Sequence, residues 1–132
     1  MKETRIAALW AACSGAGSAA LFLAMEYLMA GQGPVNHFDW WLLLGAPSGS
    51  ALAALLVWPH KQGAWAGAAI GFLAHPLMWC LVPLIQWATG ITAPLALTLS
   101  TLLTLSVYSW ILMGWITVPA GAFLGWKLAH RK

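Results

Sequence analysis

Every basic side chain of this 132-residue chain falls in one of three short stretches. Lys2 and Arg5 open the chain, Lys61 stands alone near the middle, and Lys127, Arg131 and Lys132 close it. Long apolar segments run between them, and two further polar breaks, at 31–39 and around residue 90, carry no Lys or Arg. Basic loops stay on the cytoplasmic side when a membrane protein inserts. Alternation of basic and non-basic breaks therefore predicts four spans with both termini cytoplasmic. The basic stretches also hold Glu3 and total +5, while Glu26 and Asp39 give the other side −2.

Composition points to the same class. Hydrophobic residues make up 61% of the chain and charged residues 7%, against about a quarter charged in a soluble domain. A nucleic-acid partner is not expected, because the positive charges form no stripe along one face. The expectation is a single integral membrane domain over residues 1–132, in the plasma (inner) membrane, with the lipid bilayer as its surroundings. The opening Met1-Lys2-Glu3-Thr4-Arg5 resembles the start of a signal peptide. The apolar run behind it is too long for a cleaved signal, so an uncleaved first span is expected.

Aromatic residues mark where the spans end, since Trp and Tyr settle at the lipid–water boundary. They predict spans at about 6–30, 40–58, 64–87 and 106–126. From Trp65 to Trp87 is about 33 Å of helix, close to a hydrocarbon core of about 30 Å. The apolar run over 91–126 is about 54 Å if helical, too long for one span and barely enough for two with a turn. A fifth span would also carry the basic tail to the wrong side. The predicted fold is thus all-α, a four-helix transmembrane bundle with an interfacial or tilted helical extension over 93–105 before the fourth span. Asp39 is placed as the N-cap of the second span. Glu26, beside Tyr27, is placed with it at the outer interface.

Small residues recur four apart in every span, on one helix face each. They include Gly45 and Gly49, Gly67 and Gly71, and Gly121 and Gly125, with Ala11, Gly15 and Ala19 in the first span. Such ridges let helices approach closely in lipid. They predict close packing within the chain, against a second copy, or against another membrane protein.

Counting depth from the interfacial Trp residues puts His75 about 15 Å in, near the midplane. Ser18, Ser48, Ser50 and Thr117 fall in the same layer. Pro47, Pro76 and Pro119 each free a carbonyl four residues earlier, and freed groups in a membrane need protein or water partners. An intramembrane histidine is a candidate proton or substrate site. The preferred reading is a neutral hydrogen-bonding group that holds helices together. No acid or base joins His75 at that depth, and no nucleophile–base arrangement, metal-ligand spacing or cofactor motif is present, so neither a catalytic role, a metal nor a cofactor is expected. Cys13 and Cys80 differ in depth by roughly 18 Å, too far for a disulfide. Two functions are expected from these residues: a non-catalytic subunit that packs with itself or a partner, or a small transporter or channel using the polar layer around His75.

Overall fold

A computed structural model describes residues 2–30, 37–90 and 98–131. Among the described residues there is no strand, and almost all are helical. The helices are α1 (Lys2–Ala30), α2 (His37–Val57), α3 (Ala64–Ala88), α4 (Leu99–Ser109) and α5 (Trp115–Ala129), with a wide π-helical turn over Trp110–Gly114 joining the last two. Three rods, Lys2–Met29, Ala64–Ala88 and Leu99–Ala129, are long and apolar enough to cross a membrane. The apolar part of α2 described here, Leu42–Val57, is shorter. Apolar side chains cover the outward faces: Leu28 is 78% exposed and Ile111 70%. Such surfaces are foreign to a water-soluble monomer and fit lipid.

α1 packs on α2, α2 on α3 and α3 on α5, with a lighter contact between α1 and α5. The start of α1, the α2–α3 connection and the end of α5 lie together. Gln62 donates to Glu3 at 3.2 Å, and the Arg131 guanidinium sits 5.5 Å from the centre of the Trp10 ring. The chain therefore has a basic end.

The last helix joins the expected fourth span to the described part of its expected extension. It is one rod of 31 residues from Leu99, with no break near 106. Thr98 starts it, accepting the Thr101 amide at 3.1 Å. The Ser and Thr residues that follow do not stop it: Thr101 bonds to Thr98 and Ser109 to the Ser106 carbonyl within the same rod, and the Ser106 hydroxyl is buried without a partner among the described residues. Leu102 and Leu105 pack on Met78, Trp79 and Val82 of α3, so α4 is docked on a neighbouring helix. The part of the extension over 93–97, with Pro94, lies outside the described residues. α2 begins at His37, which puts Asp39 inside the first turn instead of at the cap. Its side chain lies outside the described residues.

The core is built from small side chains. Near the basic end Ala7, Ala53, Ala54, Trp58, Ala66 and Ile70 pack together. The glycine ridges meet within the chain. A Cβ on Gly67 would strike the Gly121 carbonyl, one on Gly71 would fall 2.5 Å from the Thr117 carbonyl oxygen, and one on Gly125 would strike the Gly63 carbonyl. α3 and α5 thus run backbone against backbone. A Cβ on Gly49 would fall 2.7 Å from the Ala74 carbonyl oxygen and the Met78 amide nitrogen, one on Gly45 would meet the Val82 and Met78 side chains, and one on Gly15 would meet Ala46 and Ser50 of α2.

Candidate functional site

His75 is buried on α3, four residues beyond Gly71 on the face that meets α5. Its Nδ1 lies 3.0 Å from Ser109 Oγ and its Nε2 2.9 Å from Thr117 Oγ1. The imidazole therefore ties together both sides of the π-helical turn. Ser109 Oγ has one proton, and it lies 3.0 Å from the Ser106 carbonyl, which can only accept. Ser109 also receives the Trp79 indole N–H at 3.3 Å. With its proton spent on Ser106, its two lone pairs serve Trp79 and His75. The neutral His75 ring then carries its proton on Nδ1, and the Thr117 hydroxyl donates to Nε2.

The turn is what lets Ser109 and Thr117 share one partner. Eight residues of regular α-helix leave two side chains about 80° apart. A π turn takes up one extra residue, so the pair behaves as if seven apart and faces one side.

Pro76 explains a second contact. It denies the Phe72 carbonyl its helical amide, and the Trp110 indole N–H donates to that oxygen at 2.9 Å. The two rings stack at 4.3 Å with an interplanar angle of 11°. Trp110 is the first residue of the wide turn, so the proline break in α3 and the turn between α4 and α5 answer each other across the interface.

Beside this network lies a cavity of about 280 Å³, lined by residues of every helix. His75, Thr117, Ser18, Ser50 and Ser109 border it, together with Ser14. The rest of its wall is Gly, Ala, Leu, Ile, Met and aromatic residues, and among the described residues no Asp, Glu, Lys or Arg reaches it. It occupies the space between α1, which leans on α2, and α4, which leans on α3. Tyr108, 61% exposed, borders it on the outward side. Such a site suits an apolar molecule with one or two hydrogen-bonding groups. A hydrated ion would find too few polar partners along it.

Four of the five midplane residues read from the sequence, His75, Ser18, Ser50 and Thr117, are brought to this cavity. Ser48 is not: it is exposed, and its hydroxyl donates to the Leu44 carbonyl at 2.7 Å. Ser48 and Ser50 are about 200° apart on α2, so only one can face inward. Glu26 is exposed toward the far end of α1 from the basic end. Cys13 is exposed, Cys80 half-buried, and both are free thiols. Among the described residues no three of His, Cys, Asp and Glu gather as metal ligands. Sequence reasoning missed Ser109, Trp79 and Trp110. Ser109 was hidden by the π turn. Trp110 had a signal in Pro76, whose freed carbonyl required a donor.

Comparison with protein-family models, with curated proteins and with solved structures finds no significant match to this chain.

Proposed function

We propose that this chain is a small polytopic membrane protein that holds an apolar or amphiphilic molecule in its inter-helical cavity. The role is that of a binder or small carrier, with four spans, both termini cytoplasmic and no catalysis. One observation carries it: the cavity draws on all the helices and has a mostly apolar wall set with a few polar groups, His75 and Thr117 among them. Ligand pockets are characteristically of this kind, apolar with a few placed polar groups. This favours the transporter-like expectation over the packing one. The glycine ridges that motivated an external partner are used up between α3, α5 and α2.

The test is photolabelling in nanodiscs with a long-chain fatty alcohol carrying a diazirine midway along its chain. Adducts are expected on cavity residues such as Phe22, Met78 and Met113, and Ser18→Leu should remove most of them. Adducts confined to outward residues such as Leu28, Leu55 and Leu84 overturn the reading.

A second reading rests on the outer face of α1. Cys13, Gly17, Ala20 and Ala24 are all exposed on it, and a Cβ on Gly17 would meet nothing within 4 Å. That face suits another membrane helix, from a second copy or a partner. In a Cys80→Ser background, oxidative cross-linking through Cys13 should give a dimer that Gly17→Leu abolishes. A chain that stays monomeric at all oxidant levels removes the second-copy version.

A further inference from the structure

We infer that the cavity's occupant is an anionic phospholipid from the leaflet at the basic end, its headgroup held by Lys127 and Arg131 and one acyl chain lying along the α1–α5 seam into the cavity. This rests on the reading above that the cavity takes an apolar chain.

Three features lead to it. First, a small groove of about 30 Å³ at the basic end is lined by Trp10, Leu124, Lys127, Leu128 and Arg131, and three of these, Trp10, Leu124 and Leu128, also line the large cavity. Cationic side chains thus border an apolar path that continues inward. Second, among the described residues no acid is paired with these cations. Glu3 accepts from Gln62, and Glu26 stands toward the opposite end of α1. Arg131 lies over the Trp10 ring, which orients the guanidinium without neutralising it. Third, the lengths match. Thr117 is ten residues from Lys127, about 15 Å along α5, and half of a hydrocarbon core is about 15 Å. That is the depth one leaflet's acyl chain fills.

A juxtamembrane cation attracts anionic lipid with a strength of about fivefold in affinity, so the pair should give a preference of about thirtyfold. The experiment compares two photoactivatable lipids in nanodiscs, a phosphatidylglycerol and a phosphatidylcholine, each with a diazirine on one acyl chain. Phosphatidylglycerol should label cavity residues at least tenfold more. The double variant Lys127→Gln/Arg131→Gln should abolish that preference, Lys127→Arg/Arg131→Lys should keep it, and Lys2→Gln/Arg5→Gln, charges outside the groove, should leave it intact. Equal labelling by the two lipids overturns the headgroup assignment while leaving a chain-binding cavity in place. Equal losses from both glutamine pairs overturn it too, by showing only general surface attraction. Labelling of the cavity by the fatty alcohol but by neither phospholipid overturns the lipid assignment alone. Labelling by no probe at all removes the cavity reading with it.

Discussion

α5 meets α3 with backbone against backbone, whereas α1 and α4 stand apart with a cavity between them. Both regions are rich in small residues, and α1 carries as regular a set as α3 does. The seam closes because two ridges face each other at the same height, Gly67 and Gly71 against Gly121, Gly125 and the Thr117 backbone. Gly15 of α1 closes on α2 instead, Ala11 and Ala19 of the same ridge border the cavity, and Gly17, on the outward face, has nothing near it. A small-residue ridge is half of a contact. Without its counterpart it leaves room, and in this chain the room is where His75 and Thr117 lie.

The largest test of that contrast is Gly67→Ala against Gly17→Ala. The first puts a methyl group into the Gly121 carbonyl and should cost about 3 kcal/mol, read as a fall in the thermal midpoint in detergent. The second should be neutral or stabilising by up to about 1 kcal/mol, the helix-propensity gain of alanine over glycine. Equal melting of the two variants would break the comparison. Next in size is Ser109→Ala, which leaves the Trp79 indole and the His75 Nδ1–H without this acceptor. A loss of about 2 kcal/mol is expected, with chemical shifts changing at His75 and on both sides of the π turn. Trp110→Phe keeps the stack on Phe72 but leaves the Phe72 carbonyl without its donor, for about 1 kcal/mol. Faster amide exchange around Pro76 would report it. Ser48→Ala is the smallest. The loss of an exposed local bond should leave melting unchanged, and a clear drop would mean that α2 is rotated relative to the arrangement described.

The ends of α3 were plain from Trp65 and Trp87, because interfacial aromatics bracket a uniform apolar run. The last helix was less so. A stretch containing Thr101, Thr104 and Ser106 looks too polar for the membrane, yet these few hydroxyls, one of them held by Thr98, do not stop a helix that is otherwise leucine-rich. His75 was legible as a midplane group because its depth follows from helical rise alone. Its partners needed rotation as well as depth. Thr117 could be placed by depth, while Ser109 came into line only through a residue's worth of extra winding that nothing in residues 110–114 announces. Which glycine ridge meets which was beyond a single sequence, since each records only its own side of a contact.

The extra residue held in Trp110–Gly114 has a consequence for how this helix can change. It sets the facing of α4 independently of α5, as a spacer between two keyed shafts does. Deleting one residue there would restore an ordinary helix and turn α4 by about 100°. Buried Ser106 and Ser109 would swing away from α3, and exposed Leu103 and Val107 would shift toward new neighbours. Length and hydropathy would hardly change, so the shortened chain would still look like the same membrane protein in sequence, while presenting a different wall to whatever enters between its helices.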